Sequence, residues 1–219
     1  MSRPTILYVH DPLGGWCYGF APVVHALRTE FAGRVDFDLI HGGMITAGRI
    51  GPVRAMADYI RSATPRLVDL TGAQITDAFL QDYLSSDAIS DSEPPSRAIV
   101  AAGQLGGDTL IWNYAYALQR CLFVQGMDLR STDTYRDLAR QFDLDSEMFL
   151  ETMRSEAVRE LTHEQFGISR QLGITGFPAL ILLQNETAYR FASGYQPLAH
   201  LRPALEQVIQ QPPSSERWP

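Results

Sequence analysis

The chain has 219 residues, a net charge of -7, 45% hydrophobic and 20% charged residues, and all 18 of its basic residues are arginine. The absence of lysine excludes Schiff-base and general-base lysine chemistry, and the acidic balance disfavours nonspecific binding to nucleic acid or to anionic membranes. Cys17 and Cys121 are the only cysteines, which argues against a zinc site and against a structural disulfide in a reducing compartment. Met1-Ser2-Arg3-Pro4 leads directly into an apolar run without a preceding signal-like segment. No apolar stretch approaches the roughly 20 residues needed to span a bilayer. A cytoplasmic protein of one large domain, or of one domain with an insertion, is expected.

Residues 4–10, built on Thr5-Ile6-Leu7-Tyr8-Val9, read as a buried strand. A short loop follows, and then a helix over 19–32, where Phe20, Val23, Val24, Leu27 and Phe31 recur at helical spacing and Gly33 marks the stop. Residues 35–40 read as a second strand ended by Gly42-Gly43. Two strands joined by a crossover helix make a βαβ unit. From about Pro52 to Gln171 the pattern is helical, with almost no strand candidates. Helices are expected over 53–63, 76–85, 96–104, 107–125, 131–142, 146–167 and 168–172, with a turn-rich break at Ser90–Pro95. Leu110, Ile111, Tyr114, Ala117, Leu118 and Leu122 line one face of the helix expected over 107–125, which argues for a compact helical subdomain. Strands return at 178–183 and 187–191 around a turn at Asn185-Glu186. A closing helix spans 198–210, with Pro197 at its first turn, and residues 211–215 read as a frayed tail.

Two distant segments carry the chemistry. The first is Gly14-Gly15-Trp16-Cys17, in the loop that follows His10-Asp11-Pro12. It sets a cysteine at a helix entrance, where the helix dipole favours a thiolate. The second is Gly173-Ile174-Thr175-Gly176-Phe177-Pro178, just before the third strand. A cis bond before Pro178 is expected there. Such a turn leaves the backbone N–H and C=O of Phe177 free to pair with an extended peptide or with glutathione. Other residues have plainer readings. Cys121 is core filler, His10 and His41 are structural, Asp11-Pro12 shapes the loop, and Gly42-Gly43 and Gly106-Gly107 lack the lysine of a phosphate loop. Trp16 is read equally as a cap on the core and as a substrate-facing side chain.

Taken together, the segments resemble the DsbA-like branch of the thioredoxin superfamily, in particular its cytoplasmic members. Those carry Asp-Pro-x-Cys-x-Trp-Cys-x-Gly near the N-terminus, a helical insertion, and Gly-x-x-Gly-x-Pro late in the chain. The matching residues are Asp11, Pro12, Trp16, Cys17 and Gly19, then Gly173, Gly176 and Pro178. The resemblance implies an α/β, thioredoxin-like domain formed by residues 1–50 and 168–219, interrupted by an all-helical insertion over 51–167. It also implies thiol–disulfide exchange. The expected activity is reduction or isomerisation of a disulfide-containing protein or small thiol substrate, with glutathione as co-substrate and no tightly bound cofactor or metal. Position 14 would attack and Cys17 would resolve, while Trp16, Gly176, Phe177 and Pro178 would hold the substrate or glutathione.

Gly14 is the departure from that pattern. Exchange begins when an exposed thiolate attacks a disulfide sulfur, and glycine offers no sulfur. Cys17, one turn inside the helix, is expected to be shielded and its pKa raised. The chain as written should therefore be weak or inactive in two-cysteine exchange. Two origins fit: an engineered or recent cysteine-to-glycine change, which the retained Trp16 and Cys17 favour, or a natural variant that keeps the groove without the dithiol. Two other functions stay open. One is a glutathione transferase or isomerase resembling the kappa class, which typically carries serine at this position; the other is a non-catalytic peptide-binding module.

Overall fold

The computed structural model describes residues 3–185 and 187–210. Met1, Ser2, Glu186, where a turn is expected, and residues 211–219, which include the expected frayed tail 211–215, lie outside the described residues. Strand β1 (Thr5–His10), helix α1 (Gly15–Glu30) and strand β2 (Asp36–His41) form the expected βαβ unit. The inserted block follows with β3 (Gly51–Pro52), α2 (Ala57–Thr71), β4 (Ile89–Ser90), α3 (Glu93–Phe123), α4 (Thr132–Gln141), α5 (Ser146–Arg154) and α6 (Glu156–Gln171). The chain closes with β5 (Ala179–Gln184), β6 (Thr187–Ser193) and α7 (Leu198–Gln210).

The four long strands make one sheet in the order β2-β1-β5-β6. β2 runs parallel to β1, whereas β5 pairs antiparallel with both β1 and β6. A register shift lies between Leu180 and Ile181. The arrangement is a thioredoxin-like fold with a helical subdomain inserted between β2 and β5. β1 is central, so both of its faces are covered, which explains an apolar run without alternation. Ile6 and Tyr8 pack into the larger core with Phe20, Val24, Leu27 and Phe31 of α1. Leu7 and Val9 point to the opposite face, with Ile40, Ile181, the half-buried Ile168 of α6 and the half-buried Leu172 just after that helix.

Several elements differ from the sequence expectation for local reasons. α1 begins at Gly15 rather than 19, because its first turn is built from the loop residues Gly15, Trp16 and Cys17, which carry no apolar period; the Tyr18 N–H donates to the Gly14 carbonyl at 3.0 Å. α2 runs past Pro65 to Thr71, since Ala57, Thr64 and Leu67 bury one face on both sides of the proline, and packing outweighs local propensity. The stretch expected as a helix over 76–85 is a π turn (Ala78–Asp82) followed by a 3-10 turn (Tyr83–Ser85). Gly107, at φ 69° and ψ -165°, breaks α3 near the expected gap. The helix expected over 146–167 is two, because Ser155 turns extended and its hydroxyl caps the Val158 N–H; α6 then continues through the segment expected as separate. The two-residue pairing of β3 with β4 carries no sequence signal.

Candidate functional site

Both chemistry-bearing segments lie at one end of the sheet. β1 delivers His10 to the loop Asp11–Gly14, and α1 starts immediately after it. In the antiparallel register Val9 stands opposite Ala179, so Pro178 flanks the step from His10 into the loop. The Asp11 N–H donates to Cys17 Sγ at 3.4 Å. The Phe177–Pro178 peptide bond is cis. The N–H and C=O of Phe177 form no hydrogen bond among the described residues, whereas the Pro178 carbonyl accepts from Gly194 N–H at 2.8 Å.

Asp11 fastens the loop. It is fully buried, and its Oδ1 accepts from the Leu13 N–H at 3.0 Å and from the Ser92 hydroxyl at 3.0 Å. Its Oδ2 accepts from the Met44 N–H at 2.7 Å. Ser92 in turn pairs with both backbone groups of Ile45. One carboxyl thus ties together the loop, the chain after β2 and the entrance to α3. Burial raises its pKa, and this outweighs the opposing hydrogen bonds and the charge of Arg49. The Gln119 amide approaches the Asp11 carbonyl at 3.5 Å, and the Tyr8 hydroxyl donates to the Cys17 carbonyl at 3.1 Å.

Cys17 is wholly inaccessible. Burial pushes its thiol far above the ordinary range, against the smaller stabilising effect of the Asp11 N–H. The helix-entrance effect is therefore outweighed by desolvation, and at neutral pH Cys17 is a thiol, not a thiolate. His10 and His41 lie with ring centroids 4.9 Å apart. Burial lowers His10 to about 3 and holds His41 well below its usual value. Neither imidazole supplies a positive charge to the sulfur. Cys121 is buried on α3 within the large core.

Gly14 takes φ -80° and ψ 111° at the cap of α1, a region open to any L-residue. A Cβ built there lies 2.9 Å from Cys17 Sγ and 3.2 Å from the Asp11 carbonyl oxygen. The first turn of α1 holds no acidic residue and no side-chain cap. Trp16 is half-buried and leans toward Tyr195, at 6.4 Å between ring centroids, so it borders the segment between β6 and α7. Phe177 is half-buried, Pro178 buried, and Gly176 exposed with open space around it. The Phe177 ring rests on Gly42, where a Cβ would come within 1.9 Å of it; only glycine permits that approach.

Ser92, Met44, Gln119 and Tyr8 escaped the sequence reading as site residues. Each reaches the Asp11–Cys17 loop through one hydrogen bond, made across 108 positions or fewer, and no motif records these contacts. Gly42 was legible only as a strand stop.

Among the described residues no helix is long and apolar enough to cross a membrane. A search of curated proteins returns no match. Among solved structures, a provisionally assigned protein disulfide isomerase from Nitrosomonas europaea superposes with a TM-score of 0.87 at 26% identity, covering 97% of this chain and 100% of that one. The cytosolic disulfide reductase DsbM from Pseudomonas aeruginosa superposes at 0.78 and 28% identity, covering 94% and 98%. Its complex with glutathione gives 0.76 and 26%, over 94% and 99%. The family model described as Thioredoxin (Thioredoxin_5) matches residues 7–200, and with these neighbours it establishes that the chain belongs to the thioredoxin family, in its DsbA-like group.

Proposed function

We propose that this chain carries the exchange site of a cytoplasmic, glutathione-linked disulfide reductase or isomerase. In this reading position 14 is the attacking position, Cys17 is the resolving thiol, and Gly14 leaves the chain as written without its nucleophile. The observation that carries the reading is the 2.9 Å between the Cβ position of residue 14 and Cys17 Sγ. Bond lengths in a disulfide set each sulfur about 3 Å from its partner's Cβ. A cysteine at position 14 therefore has the geometry to bond Cys17 without moving the backbone. The glutathione complex of DsbM supports glutathione as the co-substrate, and its cytosolic setting supports the compartment.

The chemistry then follows in balanced steps. A thiolate at position 14, favoured by the uncapped start of α1, attacks one sulfur of a substrate disulfide, and the other sulfur leaves as a thiolate. Cys17 loses its proton as its sulfur attacks the sulfur at position 14, releasing the second substrate thiol. One glutathione thiolate opens the resulting bond between positions 14 and 17, and a second releases oxidised glutathione. Two electrons pass from two glutathiones to the substrate. The free backbone groups of Phe177 hold an extended substrate or glutathione backbone as an added strand. Pro178 fixes that edge beside the sulfur, Gly176 leaves the approach open, and Trp16 walls one side.

The test is turnover of hydroxyethyl disulfide with glutathione, read by coupled NADPH oxidation. The parent chain should run at background and Gly14→Cys well above it. Gly14→Cys combined with Cys17→Ser should instead accumulate a glutathione mixed disulfide visible by intact mass. A folded Gly14→Cys protein that stays at background would refute the assignment.

A further inference from the structure

A second feature of the molecule adjoins the Cys17 loop through Tyr8 but uses no sulfur. Between α1, the β1–β2 edge and the later half of α3 lies a cavity of about 290 Å³. Small side chains open it: Ala21 and Pro22 from α1, and Ala115 from α3. One wall is a continuous stack of three rings. Trp112 lies over Tyr8 at 5.9 Å and 11°, and Tyr8 lies over His10 at 5.3 Å and 28°. The Arg28 guanidinium sits 5.0 Å from the Trp112 ring centre and holds that ring in place. Leu39 adds an apolar side, and the exposed His25 and Asn113 stand at the mouth.

His10, 1% exposed, also lines the cavity. Its Nε2 has no hydrogen-bond partner among the described residues. An unpaired buried nitrogen is costly, and a native structure that keeps one invites a partner from outside the chain. The Tyr8 hydroxyl cannot serve, because it is committed to the Cys17 carbonyl.

We infer that this cavity binds an uncharged hydroxylated aromatic molecule of one or two rings, with its ring against the Trp112–Tyr8–His10 wall and its hydroxyl on His10 Nε2. Size supports the class: a dry cavity of about 150 Å³ already holds benzene. The lining supports a ring over an aliphatic chain, because aromatic pairs add to simple burial. A hydroxyl is the matching polar group, since it can donate a proton to the unprotonated Nε2 of a neutral imidazole, which an ether cannot do. A carboxylate is disfavoured, because burial keeps His10 uncharged and a desolvated anion would face no cation there.

The experiment uses the full chain and no thiol chemistry, so it succeeds or fails independently of the exchange reaction. In a 1H–15N spectrum the indole signal lost in Trp112→Phe is that of Trp112. Titration with 4-methylphenol should shift that signal saturably. 4-Methylanisole, whose ether has no proton to give, should bind about tenfold more weakly or worse. His10→Phe should reduce 4-methylphenol to the affinity of the ether, and Ala115→Leu, which fills the space, should remove the shift while the rest of the spectrum persists. Absence of a saturable shift up to the solubility limit, equal affinity for phenol and ether in the parent, or a shift unchanged by Ala115→Leu would each overturn the proposal.

Discussion

Gly14→Ala and Gly14→Cys place the same Cβ against Cys17 and differ by one sulfur, so together they isolate the geometry on which the exchange reading rests. A Cβ at 2.9 Å from Cys17 Sγ is well inside non-bonded contact. Cys17 is fully buried, and its sulfur accepts from the Asp11 N–H, so rotating it away sacrifices that bond. Overpacking of this kind costs about 1 kcal/mol or more, and Gly14→Ala should be destabilised by that amount. Reduced Gly14→Cys should suffer the same crowding. On oxidation the contact becomes a bonded one, the crowding disappears, and closing a four-residue loop restricts the unfolded chain by about 2 kcal/mol in the chain-entropy account. Oxidised minus reduced Gly14→Cys should therefore be about 3 kcal/mol, or a rise in Tm of roughly 6–12 °C for a protein of this size. Thermal unfolding followed by circular dichroism, with and without a phosphine reductant, reads the difference directly. The parent and Gly14→Ala, lacking a pair to oxidise, should be insensitive to reductant. A neutral Gly14→Ala, or a Gly14→Cys protein that melts at the same temperature in both states, would show that residue 14 does not face the Cys17 sulfur.

Two further predictions concern the buried polar groups around the loop. Asp11→Ala strands the Leu13 and Met44 N–H groups and the Ser92 hydroxyl. At about 1 kcal/mol or more for each buried donor left unmet, denaturant unfolding should report a loss of at least about 3 kcal/mol, and a loss below 1 kcal/mol would mean that the three bonds are replaced by water. The histidines set an acid limit. Both have folded-state pKa values below the unfolded value of 6.5, so the unfolded chain binds more protons, and stability is complete above pH 6.5 and falls as pH drops toward 3. Between pH 7 and pH 5 His10 alone should cost about 2 kcal/mol, estimated from about 1.4 kcal/mol per pH unit. His10→Phe should flatten the denaturant midpoint against pH over that window relative to the parent, and parallel curves would refute the assignment of neutral buried His10.

The fold was largely legible because its strongest signals are local. The apolar run of β1, the 3.6-residue spacing of Phe20, Val24, Leu27 and Phe31, and the hairpin flanking Asn185, which does adopt a left-handed φ of 50°, all follow from short-range pattern. Boundaries failed where a single atom decides them. Ser155 splits one expected helix through its hydroxyl, and Pro65 fails to end α2 because residues on both sides of it are held by tertiary contacts. At the site, the residue types of Gly14, Cys17, Phe177 and Pro178 pointed to one place. The partners that shape that place did not, because Ser92 reaches Asp11 across 81 positions and Gln119 across 108. A lone pair and a donor meeting at that separation leave no period in the chain. Cys17 exposes a further gap. Its helix position argues for a thiolate and its burial against, and only coordinates can weigh a local field against desolvation.

That balance also bears on the proposed role of position 14, where a missing sulfur would remove the nucleophile without dismantling the site. Cys17, His10, His41 and Asp11 are four titratable groups at one end of the sheet, and burial pushes each toward its uncharged form. A dry, weakly charged surround makes the start of α1 the dominant local field, since no acid lies in its first turn to oppose it. A sulfur at position 14, just ahead of the first turn, would feel the field, whereas Cys17, one turn further in, is governed by desolvation. In the proposed exchange reaction the two positions would differ in kind, one suited to ionise and the other to stay protonated until a neighbouring sulfur draws it into reaction. Nothing in the Asp11 network, the cis turn or the Phe177 edge depends on the side chain at position 14. The scaffold can therefore persist intact around a glycine, and restoring one thiol is the smallest change that distinguishes a silenced exchange site from a fold kept for another purpose.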